Sequence, residues 1–449
     1  MKCQWSYWPI IKFLVPLALT IVVQDSAEQA LNRGMTSATN STQVLASFGI
    51  GYNLIKFATG PLMEIKHSGL VQVHSIADSI QVVFCVAGFA GFIGAFAVLI
   101  NFTKLGYYVV DQLYSVDVVV SSMTKQCIFY LGLYPLIDGT SWIYSGILLQ
   151  YKYSVIVGGA SLADIFMQIG VIAALLQIPK ASLESIIVPI IALYVGCIVR
   201  FTIVMTGYFV CVHRKMKALP LGDPKDRLTA LKVIWFWWPL GLVQAIQRIS
   251  RPIVNVFVAR DLKGTDQATI ALAVLTVTYP VGRVPWGWLN ELKAIAPAFS
   301  KEALMVDGPS NRVTPKRIRI HNIGALSFSV LIMLIIFWIP GIIVTFLISV
   351  IGVEDWMADL CIWPLRIFTF FAFPVATRAH LTSWLLVYKE TRIVAPSALV
   401  RLICLIVALL VLPLCGVHGA SHGIGALLAS FCGEAITVAC GSACYHFRL

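Results

Sequence analysis

The sequence predicts an all-α polytopic membrane protein, with twelve transmembrane helices arranged as two pseudo-symmetric six-helix lobes around a central cleft. Three observations lead to this prediction. The 449 residues are 59% hydrophobic and only 12% charged, with a mean hydropathy of +0.85, which is far more apolar than a globular protein. Apolar stretches of about 20 residues, the length that crosses a bilayer, recur along the chain. An internal repeat relates its two halves.

Hydropathy alone gives twelve candidate spans. They cover residues 10–32, 44–63, 80–100, 127–149, 154–177, 186–210, 231–258, 268–291, 321–348, 360–387, 393–413 and 418–445. An even number of spans places both termini on the same side. If that side is cytoplasmic, the inner segments hold far more Lys and Arg than the outer ones, as the positive-inside rule requires. The sequons at Asn40 and Asn101 then fall in predicted outer loops, where glycosylation takes place.

The repeat defines the predicted domains. Setting Pro16 against Pro239 aligns PLALTIVVQDSAEQALN with PLGLVQAIQRISRPIVN without a gap, and LLQYKYSVIVGGASLAD later pairs with LLVYKETRIVAPSALVR. Between these blocks, Tyr52 and Lys56 match Tyr279 and Arg283. Blocks in the same order predict an N-terminal lobe at 1–212, a basic cytoplasmic linker at 213–230 and a C-terminal lobe at 231–449.

The repeat does not preserve the charges inside the predicted spans. Asp25 and Glu28 fall opposite Arg248 and Arg251, and Asp164 falls opposite Arg401. The first half carries four carboxylates in its spans: Asp25, Glu28, Asp138 and Asp164. The second half carries six guanidiniums: Arg248, Arg251, Arg283, Arg366, Arg378 and Arg401. One lobe is therefore predicted to be acidic inside and the other basic.

Helical spacing places Gln244, Arg248, Arg251 and Asn255 on one face. A charged side chain at mid-span costs about 2.5–3.5 kcal/mol on insertion scales, so these arginines are expected to face a partner or water. Pro252 removes the helical hydrogen bond to the carbonyl of Arg248, which is expected to loosen the helix beside the charges.

Two interpretations of these charges remain open. In the first, Arg248 and Arg251 pair permanently with Asp25 and Glu28 across the lobes and have only a structural role. In the second, guanidiniums line a central cavity and bind an anion, because their planar fork matches carboxylate or phosphate. The predicted substrate-binding residues are Arg248, Arg251, Arg378, Arg401, Gln244 and Asn255. The predicted gate or coupling residues are Asp25, Glu28, Asp138 and Asp164.

Several function classes find no support in the sequence. His418 and His422 are four residues apart but have no third ligand beside them, so packing is favoured over a metal site. No GxxxxGK[ST] or HExxH motif occurs, and the one GxSxG match, GASHG at residues 419–423, lies in the glycine-rich start of a predicted span, so we expect neither an enzyme nor a bound cofactor. The basic loops suit topology and anionic headgroups, and no nucleic-acid partner is predicted.

The chain resembles the progressive ankylosis protein family at the strings FLVPL, EQALNRG, FWWPL, QRISRPIVN, TYPVG, PLRIF, RAHLT and GVHGA. The resemblance extends from about residue 7 to residue 445. It implies a multi-pass plasma-membrane protein that promotes release of inorganic pyrophosphate, nucleoside triphosphates such as ATP, and citrate with related carboxylates, and thereby controls extracellular pyrophosphate and mineralisation. It also implies a fold similar to the multidrug and toxin extrusion branch of the flippase superfamily.

Together the charges and the resemblance predict a secondary transporter that exports polyanions by alternating access, with rocking of the two lobes. A flippase or cation antiporter on the same fold is one alternative, which an acidic lobe alone would favour. A membrane regulator that controls anion release through another carrier is the other.

Overall fold

The computed structural model describes residues 7–21, 41–112, 118–175, 186–217, 228–262, 267–303, 314–351 and 355–446. In these ranges the regular elements are helices. The α-helices are α1 (Trp8–Ile21), α2 (Ser41–Met63), α3 (Ile65–Val71), α4 (Ile76–Phe102), α5 (Val118–Tyr130), α6 (Tyr134–Gln150), α7 (Ser154–Leu175), α8 (Ile187–Tyr208), α9 (Arg214–Lys217), α10 (Ala230–Asp261), α11 (Gln267–Gly287), α12 (Ile295–Ala303), α13 (Pro315–Trp338), α14 (Ile342–Phe346), α15 (Asp355–Phe368), α16 (Ala372–Val387), α17 (Ala395–Leu414) and α18 (Gly419–His446). Short 3₁₀ or π segments join several neighbours, such as Leu131–Leu133 between α5 and α6.

Seven helical stretches within these ranges are long and apolar enough to cross a bilayer. They are Ile76–Phe102, Ser154–Leu175, Ile187–Lys217, Pro315–Trp338, Asp355–Val387, Thr391–Leu414 and Gly419–Cys444. Each overlaps with a span that hydropathy predicts. The prediction of an all-α polytopic membrane protein is therefore confirmed, while the count of twelve spans stays a prediction.

The chain divides into two compact units. The N-terminal unit comprises Val15–Gly241, and the C-terminal unit comprises Leu242–Leu449 with Met1–Leu14. In the N-terminal unit α7 packs against α8, and α6 packs against α8; in the C-terminal unit α17 and α16 pack against α18 in the same way. The predicted domain limits at 212, 213–230 and 231 stay a prediction.

One turn occurs in both units at the positions that the repeat matches. Lys152 follows α6 and Lys389 follows α16, and their φ angles are 66° and 61°. In each turn two successive amides bond back to carbonyls of the last helical turn, with N to O distances of 2.9–3.1 Å. This is the Schellman arrangement, in which glycine usually occupies the left-handed position. Among the described residues other than glycine, only these two lysines adopt positive φ.

The predicted span 321–348 is wrong at its C-terminal end. Helix α13 ends at Trp338, and α14 begins at Ile342. Pro340 disfavours helical backbone at the residue before it, and Ile339 is indeed extended, with ψ at 122°. Gly341 then takes φ 84°, a left-handed conformation that glycine adopts without the steric cost of a Cβ. Hydropathy overlooked this break because all flanking residues are apolar.

The local structure differs from two further expectations. Helix α10 continues from Ala230 to Asp261 through Pro252, so the loss of one hydrogen bond does not interrupt it. Asn101, predicted to lie in a loop, is in the last turn of α4, which ends at Phe102.

Candidate functional site

Three charged residues meet in the interior of the N-terminal unit: Asp138 on α6, Asp164 on α7 and Arg200 on α8. We call them the acidic triad. Arg200 donates through Nη2 to Oδ1 of Asp138, and its Nη1 lies 3.3 Å from Oδ2 of Asp164. Each residue is less than a tenth exposed. The guanidinium is thus held between two carboxylates that lie on different helices.

Polar and aromatic neighbours hold this triad in place. Gln168 donates to the second oxygen of Asp164 at 2.7 Å, and the indole of Trp142 lies 4.8 Å from the Arg200 guanidinium carbon. Gly196 allows α8 to approach α7, because a Cβ at this position would overlap with Asp164. Position 196, one turn before Arg200, must therefore lack a side chain.

The C-terminal unit contains the converse arrangement, formed by Arg378 on α16, Arg401 on α17 and Glu434 on α18. We call these residues the basic triad. Nη1 of Arg378 donates to Oε1 of Glu434 at 2.7 Å, and Nη1 of Arg401 donates to Oε2 at 2.5 Å. Glu434 is fully buried, and the two arginines are 8% and 2% exposed. One carboxylate therefore bridges two guanidiniums.

The surroundings of the basic triad resemble those of the acidic one. Arg378 also donates through Nη2 to the amide oxygen of Asn290, and the ring of Phe431 lies 4.0 Å from the guanidinium carbon of Arg401. Gly433 is again the close-approach residue, since a Cβ there would lie 2.5 Å from Sγ of Cys404 on α17. Each triad thus has a close-approach glycine on its last helix and an aromatic ring against one of its arginines.

The two triads occupy matching helices with opposite signs. Two carboxylates and one guanidinium leave a formal charge of −1 in the acidic triad, and two guanidiniums and one carboxylate leave +1 in the basic triad. Taking ions out of water costs several kcal/mol each, so such groups are retained only where partners surround them. Each unit therefore retains one charge that its own triad does not neutralise.

Arg251 lies on α10 in the C-terminal unit, outside the basic triad. It is exposed, and its guanidinium carbon lies 3.6 Å from the ring centroid of Tyr279 on α11. Arg283 and Arg401 also act electrostatically on this tyrosine. Stacking uses the flat face of a guanidinium, and Arg251 also forms a side-chain hydrogen bond with Tyr279. A guanidinium has five N–H donors, so others remain for a ligand.

The other predicted residues of α10 lie along the same helix. Gln244 and Arg248 are half-buried, and Asn255 is exposed. Three predicted residues, Asp25, Glu28 and Asn40, lie outside the described residues. Pairing of Arg248 or Arg251 with those two carboxylates, and all the predicted roles, stay predictions.

Sequence reasoning did not assign site roles to Arg200, Glu434, Tyr279 or Asn290. Arg200 and Glu434 were visible as the minority charge of each half. Matching α8 to α18 would have placed both in the interior of corresponding helices, because they follow Asp164 and Arg401 along the chain by similar intervals. Tyr279 matches Tyr52 in the repeat, but it is uncharged, and the site residues were predicted mainly from their charges.

The histidine pair lies near a carboxylate. Nδ1 of His418 is 2.9 Å from Oδ2 of Asp261, and Nδ1 of His422 is 3.8 Å from the same oxygen. Nε2 of His422 lies 3.0 Å from the carbonyl oxygen of Leu409. Within the described ranges, no group of three His, Cys, Asp or Glu side chains is placed to hold a metal ion.

Solved structures with this fold are membrane transporters of the MATE and MOP group. A MOP superfamily transporter from Pyrococcus furiosus matches with 14% identity over 98% of this chain and 95% of its own, at a TM-score of 0.65. A MATE protein in the bent conformation gives 0.69, with 13% identity over 98% and 94%. The eukaryotic MATE transporter AtDTX14 gives 0.65, with 15% identity over 98% of both chains. The chain is thus a polytopic membrane protein with the MATE transporter fold.

The family follows from a separate comparison. The family model described as Progressive ankylosis protein (ANKH) matches residues 1–339. The chain belongs to the progressive ankylosis protein family, and the resemblance seen in the sequence is confirmed. Family and fold together support a membrane transporter.

Proposed function

We propose that the protein is a secondary transporter of the plasma membrane that exports polyanions by alternating access, with both termini in the cytoplasm. The proposed substrates are inorganic pyrophosphate, ATP and other nucleoside triphosphates, and citrate with related carboxylates. Their export would control extracellular pyrophosphate and mineralisation. The observation that carries the proposal is the exposed guanidinium of Arg251, stacked on Tyr279 within a unit whose buried triad is itself positive.

Arg251 suits the role of anion ligand for three reasons. It is exposed, no carboxylate among the described residues forms an ion pair with it, and its face is already fixed by Tyr279. A fixed guanidinium loses less side-chain freedom when it binds, and its two N–H groups match two oxygens of a carboxylate or phosphate. In an apolar membrane environment this charge is stabilised further by an anionic ligand.

The remaining predicted binding residues take supporting roles in the proposal. Arg248, Gln244 and Asn255 share a face of α10 with Arg251 and offer N–H donors to a substrate with several oxygens. Arg378 and Arg401 are bonded to Glu434, so we assign them the positive potential that favours a polyanion over a monoanion.

The acidic triad is the proposed coupling site. Asp138 and Asp164 share a single guanidinium, so a proton or cation can be taken up where one negative charge is left over. Asp25 and Glu28 belong to the same proposed role. The Pyrococcus furiosus MOP superfamily transporter has a binding pocket of reverse polarity, which suggests a different function for that protein. Pocket polarity thus varies on this fold.

The test is flux into liposomes that contain the purified full chain, measured with labelled citrate, pyrophosphate and ATP in competition. We expect wild-type protein to carry at least one of them, and Arg251→Gln to reduce the flux about tenfold, because a hydrogen-bonded charge contributes roughly 1.5–3 kcal/mol. Arg260→Gln, an exposed arginine near the end of the same helix, is the matched control and should keep normal flux.

Two outcomes would contradict the proposal. If the folded protein carries no anion across the membrane under any gradient, the transporter hypothesis is wrong, and a regulator of another carrier becomes the favoured function. If a labelled cation exchanges for protons and the anions do not move, the acidic triad is the principal site and a cation antiporter replaces the anion carrier.

A further inference from the structure

An elongated crevice runs along the side of the N-terminal unit, between α4 and the first two turns of α10. Its volume is about 510 Å³, and its floor is formed by Leu62 at the end of α2 and Ile65 of α3. Its walls are mostly aromatic: Phe84, Phe89 and Phe92 from α4 and Trp237 from α10. All these residues belong to one unit, so the crevice is a feature of that unit alone.

The crevice opens on a surface that must face hydrocarbon. Helix α4 is one of the seven stretches able to span a membrane, and Phe84 and Phe92 at the crevice are 68% and 70% exposed. Lipid rather than water covers such a surface, because exposing apolar area to water is unfavourable. A solute dissolved in the aqueous phase therefore does not reach the crevice from this side. The occupant is therefore an amphiphile that is already dissolved in the bilayer.

The crevice is as long as one leaflet is deep. Gln81 and Phe92 mark its ends along α4, and at 1.5 Å per residue they are about 16 Å apart. A bilayer core is about 30 Å thick, so this length corresponds to roughly half of it. Gln81 lies near the start of α4 at Ile76, which places the polar end of the crevice toward the membrane surface.

Gln81 is the one amide among the lining residues, and none of them is charged. Within the described part of the chain its side chain has no hydrogen-bond partner. Gln81 is half-buried near the membrane surface, where its amide is the polar group on the crevice wall that can bond a polar group of the occupant. A single hydroxyl is sufficient, whereas a phosphate would lie here without a counter-charge.

The walls of the crevice are preformed. Trp237 donates through Nε1 to the carbonyl of Pro61 at 2.8 Å, and its ring meets Phe89 edge to face at 5.1 Å. Gly88 lies between the aromatic residues, and a Cβ added there would meet nothing within 4 Å. This leaves a flat, open strip along α4. Rigid walls select a rigid ligand, which loses little conformational freedom on binding.

From this geometry we propose that the crevice binds a membrane sterol. The sterol hydroxyl bonds the Gln81 amide, and the fused rings lie along Gly88 between Phe84, Phe92 and Trp237. The site is separate from both charged triads and does not depend on the transport proposal. A phospholipid acyl chain would also fit the apolar walls, but it would leave the Gln81 amide without a partner.

The proposal is tested with a cholesterol analogue that carries a photoreactive diazirine, applied to the full chain in lipid nanodiscs. We expect labelled peptides from Ile76–Phe102 and loss of labelling when unlabelled cholesterol competes. Gly88→Phe fills the strip and should lower labelling at least about tenfold. Gly91→Phe is the matched control, because Gly91 is equally open on the same helix but does not line the crevice, and it should keep normal labelling.

A second variant tests the hydroxyl contact without filling the crevice. The same diazirine probe is also prepared without its 3-hydroxyl, as a 3-deoxy probe. Gln81→Leu should lower labelling by the hydroxyl-bearing probe severalfold, up to about tenfold, as expected for one lost hydrogen bond, and should leave labelling by the 3-deoxy probe unchanged. The proposal is overturned if Gly88→Phe labels like wild type. It is also overturned if Gln81→Leu does not distinguish the two probes, or if phosphatidylcholine competes as well as cholesterol.

Discussion

The acidic and basic triads are built on matching helices, yet their central residues differ in what their loss leaves behind. Without Arg200, the acidic triad would retain two carboxylates, which can take up protons and become neutral. Without Glu434, the basic triad would retain two guanidiniums, which keep their charge at any physiological pH. A pair of carboxylates can thus lose its charge by protonation, whereas a pair of guanidiniums keeps its charge.

Away from the charges, the two units are alike. Each has a glycine where its last two helices approach, an aromatic ring over its buried arginine, and a left-handed lysine after the helix that begins the triad. The matched tyrosines show where the units diverge again. Lys56 lies over Tyr52 within one helix at 4.6 Å, whereas Arg251 reaches Tyr279 from a different helix. The two units share the same backbone arrangement, whereas the sign of the charge in the triad differs between them.

The largest effect is expected from Glu434→Gln. This change leaves two buried guanidiniums without their carboxylate, so the free energy of unfolding should fall by roughly 3–5 kcal/mol. Thermal unfolding of the purified protein in detergent measures the loss. Glu390→Gln, the same chemical change in a turn outside the helices, is the control and should have little effect. A shift no larger than the control would mean that Glu434 does not stabilise the basic triad.

Arg200→Met should be less damaging, and its effect should depend on pH. Near neutral pH the two carboxylates lose their cation, and we expect a loss of about 3 kcal/mol in the free energy of unfolding. The folded variant then binds protons more readily than the unfolded chain, so its stability relative to wild type rises as pH falls. Unfolding midpoints between pH 5 and pH 8 test this. A deficit equal at all pH values would remove the distinction between the triads.

A smaller effect is expected from Tyr279→Leu, which removes the ring beneath Arg251. Cation–π contacts contribute about 0.5–1 kcal/mol at exposed sites, so the concentration of anion needed for half-maximal flux should rise about two- to fivefold. Tyr279→Phe retains the ring but loses the hydrogen bond between the Tyr279 hydroxyl and Arg251, so its effect should be smaller than that of Tyr279→Leu. If the two variants are equal, stacking does not position Arg251.

The smallest effect concerns the feature that the two units share. Lys152→Gly and Lys389→Gly should each raise the free energy of unfolding by up to about 1 kcal/mol, because glycine adopts positive φ without the steric cost of a Cβ. The two increments should be similar and additive, since the turns have the same hydrogen bonds. Stabilisation in only one unit would show that the turns are not equivalent.

Much of the fold followed from the sequence because helix length and apolar content are local properties. The charge reversal was also readable, since Asp164 and Arg401 occupy matched positions in the repeat. The residues that pair with Asp164 and Arg401 could not be predicted from the sequence. Asp138 and Asp164 were expected to serve as a gate or coupling pair, but which cation lies between them depends on how α6, α7 and α8 pack. A single sequence contains no direct record of that packing.

The sequence shows how many charged residues each half contains, but it does not show which of them are in contact. Arg378 and Arg401 were grouped with Arg251 as anion ligands, whereas the structure bonds the first two to Glu434 and stacks the third on Tyr279. Glu434 is one acid in a half whose predicted spans carry six arginines, and a count of charges does not show that it contacts two of them. Likewise Pro340 and Gly341 indicate a local turn, but hydropathy averaged over their apolar neighbours does not detect it.

The left-handed lysines after α6 and α16 have a historical consequence. A conformation that most residues avoid is not expected to arise twice at matched positions by chance, so the simplest history is that a single ancestral half already carried it before duplication. The charges of the triads then diverged to opposite signs on an inherited turn. Relatives descended from the same duplication are expected to show this turn in both halves, whatever the sign of the residues in their interiors.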